Sequence, residues 1–134
     1  MSTIHTSYYG SPRLSRIDYY LVQISNSVPK NFVPDHRWKE VIPDWSTMVA
    51  PSKDGLISHK EYERRYRRML DQRKEAIERT FTENISRSNR TPVLMCYEAP
   101  DKFCHRHILA KWLVENNIVD SVTELPTDPD PTIF

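Results

Sequence analysis

Two short segments hold most of the residues whose types and spacing suit chemistry, Cys96-Tyr-Glu98 and Cys104-His-Arg106, with His107 directly after. A cysteine thiolate is a nucleophile, a metal ligand or a redox centre, and it forms most readily beside positive charge or at a helix N-terminus. Such a terminus also offers unpaired N–H groups to an anion, so a phosphate or carboxylate bound there would gain the guanidinium of Arg106. The same field, with His105 or His107 close by, would favour the thiolate of Cys104, and Glu98 would serve as general base or hold a ligand hydroxyl. Catalytic roles therefore fall to Cys104, Glu98, Cys96 and His105. Ligand-binding roles fall to Arg106 and His107.

These residues need a strand and a helix to bring them together. Val93-Leu-Met-Cys-Tyr-Glu98 is an apolar run ending in a carboxylate, the pattern of a buried parallel strand, and is expected to be the central one. Alternation would set Cys96 and Glu98 on one face and Tyr97 on the other. Asp101 is a candidate N-cap for a helix whose first turn holds Cys104, His105 and Arg106, and whose inner face is Ile108, Leu109, Trp112 and Leu113. Asn116-Asn117 would end it, and Val119 to Leu125 would supply a following strand. In open α/β sheets ligands collect beyond the carboxyl ends of the strands. Both segments would meet there.

Elsewhere, Thr3 to Tyr9 is β-branched and aromatic and stops at Gly10-Ser-Pro12, and IDYYLVQI over 17–24 suits a second strand covered on both faces. Between 30 and 57 prolines interrupt any long helix, predicting irregular chain with short helical turns. Trp38 and Trp45 in this stretch are expected to pack onto the core. Ser58-His-Lys-Glu61 reads as a reciprocal capping box. Tyr62, Tyr66, Met69, Leu70, Ile77, Phe81 and Ile85 then follow at helical spacing, as one long helix or a pair broken near Asp71. Together these elements predict an α/β, Rossmann-like fold: one domain over residues 1–125, with a mostly parallel sheet of about four strands flanked by helices. Residues 126–134 form an acidic, proline-rich tail outside it.

The 134 residues suit one core, and 38% apolar with 28% charged side chains suits a globular chain. A formal charge of +1 gives no global attraction to nucleic acid or anionic membranes. No segment has the roughly 18 apolar residues a membrane span requires, and the first residues lack the apolar run of a signal peptide, so a cytoplasmic location is expected. Two cysteines are too few for a disulfide framework, and a reducing cytosol would keep both as thiols.

The run LMCYEAPDKFCHRHILAKWL resembles the signature of the domain of unknown function 488 family, in which a strand ending in Cys-x-Glu is followed by Cys-His-Arg opening a helix. The start IHTSYYG and the exit ISNSVP resemble that family's first strand and second loop. The resemblance implies a compact α/β domain whose site, made from Cys96, Glu98, Cys104, His105 and Arg106, is bordered by Ser7 and Tyr8. It implies no particular reaction.

Two functions compete. The first is an enzyme-like domain acting on a phosphate-bearing small molecule, such as a nucleotide or modified nucleoside, as a cysteine-dependent transferase or hydrolase. It would differ from the cysteine phosphatases, which need five residues between nucleophile and arginine: Cys96 to Arg106 is too long and Cys104 to Arg106 too short. The second is a noncatalytic module for a nucleotide or nucleic acid, with Arg64, Arg65, Arg67 and Arg68 supplying charge and Tyr8 or Tyr9 stacking. Those arginines read more simply as a solvated helix face of pairs such as Glu61 with Arg65. A zinc site from Cys96, Cys104, His105 and His107 has poor spacing, since Cys104 and His105 are adjacent. No metal or cofactor is expected.

Overall fold

The apolar run ahead of Cys96 becomes strand β4, Thr91–Cys96, and lies at the centre of a five-stranded, all-parallel sheet of order β3-β2-β4-β1-β5. The structure, a computed structural model, describes residues 3–10, 18–98 and 103–125. The other strands are β1 (Thr3–Tyr8), β2 (Tyr19–Gln23), β3 (His36–Arg37) and β5 (Ser121–Glu124). The sheet has one strand more than the four expected. Two residues inside a proline-rich stretch carry no periodic signal, so β3 is invisible in the sequence.

Alternation decides which side chains meet which layer. Ile4, Val22, Leu94 and Cys96 join the main core with the helices, whereas Leu21, Val93 and Met95 turn to the other face, against Tyr9, Tyr19, Phe32 and Leu125. Both faces of β4 are thus covered, as its unbroken apolar character requires.

The chain between β3 and β4 is short turns followed by helices: a 3-10 turn at Lys39–Val41, a π-helical turn at Trp45–Val49, then α1 (Ala50–Lys53), α2 (His59–Gln72) and α3 (Lys74–Thr80). Ser58 caps α2 by accepting from the Glu61 N–H at 3.1 Å. The other half of the capping box is replaced, because the Glu61 carboxylate takes Arg64 and Arg65 at 2.7 Å instead. A charge-assisted pair outcompetes a neutral backbone donor. The helix breaks at Arg73, two residues past the expected Asp71, whose carboxylate accepts from Trp112 Nε1 at 2.8 Å and ties α2 to the next helix.

That helix, α4 (His105–Glu115), buries Ile108, Leu109, Trp112 and Leu113 and ends at Asn116, with Asn117 at φ 59°. Burial of an indole such as Trp112 contributes on the order of 5 kcal/mol before entropy is subtracted. Trp38 is sealed in the core as expected, but Trp45 is 50% exposed, because the π-helical turn that carries it faces outward. Among the described residues no helix is long and apolar enough to cross a membrane. Asp101 and the 126–134 tail lie outside the described residues.

Candidate functional site

The strand order makes β1 and β4 neighbours whose outgoing connections run in opposite directions, from β1 to β2 and from β4 to β5. Such a switch point opens a crevice at the carboxyl ends of the strands. Cys96 is the last residue of β4, in register with Tyr8, and α4 returns to the same end with Cys104 at its N-cap. Strand end and helix start thus bring Cys96, Cys104 and His105 into one buried cluster, their ligand-type atoms all within 4.8 Å of one another. Cys96 and Cys104 are joined as a disulfide, not held apart as the two thiols expected. Cysteine number and compartment say nothing of this pairing, which follows from the end of β4 and the N-cap of α4 meeting at one place.

The imidazole of His105 is buried. Its Nε2 lies 2.6 Å from the carbonyl oxygen of Ile24, which can only accept, so Nε2 carries the proton and Nδ1 holds the lone pair. Nδ1 faces Cys104 Sγ at 3.9 Å. Burial, and to a lesser degree Arg106 and His107, lower the His105 pKa to about 4, so the ring is neutral at pH 7. It therefore supplies no positive charge to a thiolate.

Arg106 supplies that charge, but to the other cysteine. Its side chain is completely buried, with Nη1 donating to Cys96 Sγ at 2.9 Å and to the Glu98 carbonyl at 2.6 Å. Nε and Nη2 form a two-pronged pair with Glu124 at 3.1 and 3.0 Å. Thr6 donates to the same carboxylate at 2.5 Å. Arg106 is thus an internal brace holding the end of β4, the backbone of Glu98 and the end of β5, instead of a cation open to a bound phosphate. Glu124 went unnoticed in the sequence, although a carboxylate ending a parallel strand was the signal that picked out Glu98.

Above the disulfide is a cleft of about 430 Å³, lined on its floor by Cys96, Glu98, Cys104 and His105. All four residues given catalytic roles on sequence grounds therefore share one opening. Five rings stand in its walls, Trp45, Tyr97, Phe103, His59 and Tyr62, beside the polar Ser25, Asn26 and Ser27. The His59 and Phe103 rings stack at 3.9 Å with 7° between planes, and Tyr62 meets Phe103 edge-on at 5.3 Å. Tyr97 was placed opposite Cys96 by strand alternation, yet it also lines the cleft, because β4 ends at Cys96 and the alternation stops with it. Tyr9 braces Tyr97 edge-on at 5.0 Å and bonds Ser25 Oγ at 2.8 Å, and burial pushes its hydroxyl up to about 12. Lys53 is the cation on the cleft wall, its Nζ 5.4 Å from the Trp45 ring centroid. Lys53, Trp45 and His59 sit in short turns and at a helix start, where sequence periodicity singles out nothing.

The remaining expected site residues are not among those that line this opening. Ser7 pairs in register with Met95 and so faces the opposite side of the sheet from Cys96, its buried hydroxyl without a hydrogen-bond partner among the described residues. Tyr8 shares the Cys96 side and is half-buried, but is not among the lining residues. His107 points elsewhere from α4, its pKa lowered chiefly by burial. Of the four clustered arginines, Arg64 and Arg65 are held by Glu61, and Arg67 by Glu63 and Glu115.

A sequence model of the DUF488-N3a group, described as the active DUF488-N3 subclade, matches residues 4–117, which include both halves of the site. No curated protein and no solved structure matches the chain.

Proposed function

Because the chain belongs to the domain of unknown function 488 family, a family whose name assigns no reaction, we propose a function from the site: binding of, and action on, a phosphate-bearing small molecule with a flat ring, a nucleotide or modified nucleoside. The observation that carries this reading is the convergence in one cleft of four reactive side chains, a ring of aromatic walls and one lysine. A nucleobase gains roughly 1–3 kcal/mol by stacking on such a wall. Half-exposed Trp45 and Tyr97 are the available faces. Lys53 then replaces Arg106 as the phosphate partner, and the N-terminus of α4 adds its partial charge.

With the disulfide opened, the Arg106 guanidinium favours ionisation of Cys96, so the nucleophilic thiolate is Cys96 where the sequence favoured Cys104. Glu98, at the rim, accepts a proton or a ligand hydroxyl. Calorimetric titration with nucleosides and their monophosphates tests the reading. Monophosphates should bind more tightly than the nucleosides, and Lys53→Ala should weaken the monophosphates about ten-fold while leaving the nucleosides unchanged. No binding by any of them would refute it.

A further inference from the structure

We propose that the reduced protein binds one zinc ion through Cys96 Sγ, Cys104 Sγ and His105 Nδ1, with the fourth coordination position opening into the cleft. This goes beyond the proposed function and concerns the metal-loaded form of the reduced chain, in which Cys96 is a ligand, while the free Cys96 thiolate belongs to the metal-free form.

The adjacency of Cys104 and His105 looked unfavourable only because a sequence cannot show Cys96 arriving from the strand. In the fold, the two sulfurs and Nδ1 lie within 4.8 Å of one another. Tetrahedral zinc, with Zn–S near 2.3 Å and Zn–N near 2.0 Å, spaces its ligand atoms roughly 3.5–3.8 Å apart. Cys104 Sγ and His105 Nδ1, at 3.9 Å, are already near that spacing. The Cα atoms of the two cysteines are 7.7 Å apart, beyond the roughly 4.4–6.8 Å usual for a disulfide, which leaves room for an ion between separated sulfurs.

The surroundings have the form of a metal site's outer layer. The Ile24 carbonyl fixes the proton on Nε2 and leaves Nδ1 free to coordinate, the arrangement usual for metal-bound histidine. Arg106 donates to Cys96 Sγ and is itself held by Glu124. Charge points the same way: two thiolates, Arg106 and Glu124 sum to about −2 in a buried place, which a divalent cation neutralises. Cys96, Cys104 and His105 all line the cleft, which is the side from which a water or ligand atom would take the fourth position.

The steps balance with a dithiol reductant. Two electrons and two protons from the dithiol open the S–S bond to two thiols, and the dithiol closes to its own disulfide. Zinc then takes both sulfurs and the imidazole lone pair and releases the two thiol protons to solvent.

The test uses the full chain, oxidised and reduced. After reduction and removal of the reductant under nitrogen, cobalt(II) is titrated in, displaced with zinc, and metal per chain is measured after gel filtration. The expected result is one cobalt per reduced chain with a near-ultraviolet thiolate-to-cobalt absorption band, lost on adding zinc, and no such band in the oxidised chain. Reduced Cys104→Ser and His105→Gln should each lose stoichiometric binding. If either variant fails to fold, the comparison of oxidised with reduced wild type still decides. Absence of the band in the reduced chain, an equal metal content in both redox states, or an undiminished band in folded Cys104→Ser would overturn the proposal.

Discussion

Arg106 donates to the sulfur of Cys96 at 2.9 Å from a position with no solvent exposure, and the carboxylate of Glu124 occupies its other edge. A guanidinium cannot shed its charge, so in the interior it must be paired. The pair joins the end of the central strand to the end of the last one, and its charge is delivered to one sulfur only. Both stability and thiol chemistry should respond to it.

Removing the partner should cost more than removing an ordinary surface charge. Glu124→Ala leaves a buried guanidinium without its carboxylate and is expected to lower unfolding free energy by about 3 kcal/mol in urea titration. An unchanged midpoint would mean that the pair is dispensable.

The sulfurs should show their state directly. Without reductant, intact-mass measurement after iodoacetamide should find no alkylated cysteine, and after reduction two. In the reduced chain, Arg106→Met should slow alkylation of Cys96 at pH 7 by about ten-fold for each unit its thiol pKa rises, with a smaller effect on Cys104. Equal slowing at both sites would detach the guanidinium from Cys96.

The neutral His105 makes stability depend on pH. Its folded pKa of about 4 lies below the ordinary 6.5, so between these values the unfolded chain binds the extra proton. The contribution is whole above about pH 6.5 and lost as pH falls toward 4, to an extent on the order of 3 kcal/mol. His36 and His107 are also lowered, chiefly by burial, so the readout is the difference between wild type and His105→Gln. The urea midpoint of wild type should fall more steeply from pH 7 to pH 4.5 than that of the variant.

The half-formed capping box gives a small, separable effect. Ser58→Ala should destabilise the chain by about 1 kcal/mol through the lost bond to the Glu61 N–H. Glu61→Gln should leave the helix start intact, because its carboxylate serves the exposed Arg64 and Arg65 instead. Greater damage from Glu61→Gln than from Ser58→Ala would contradict this division.

Much of the fold was legible because it is written in periodicity. The apolar run before Cys96, the spacing of Tyr62, Tyr66, Met69 and Leu70, and the inner face of α4 each specify one element and its buried side. Convergence of Cys96, Glu98, Cys104 and His105 followed from a general property of parallel sheets, that polar groups at strand ends meet helix starts. The direction of Arg106 did not follow, since nothing local says whether a guanidinium in a first turn faces out to a ligand or in to Glu124. Trp45 and Lys53 were equally hidden: they reach the cleft through short turns among prolines, where neither period applies. Ser7 was assigned to the site border by resemblance alone, and a register that pairs it with Met95 turns it to the far face.

The most direct test of the cleft as a ring-binding site is tryptophan fluorescence. Trp38 and Trp112 are sealed at 0% and 1% exposure, so Trp45 at 50% is the reporter. Titration with a nucleoside monophosphate should quench emission with a saturable curve, and the change should vanish in Trp45→Phe. A flat signal up to ~1 mM, the range of a weak complex, or the same quenching in Trp45→Phe, would contradict a ring stacked in this cleft.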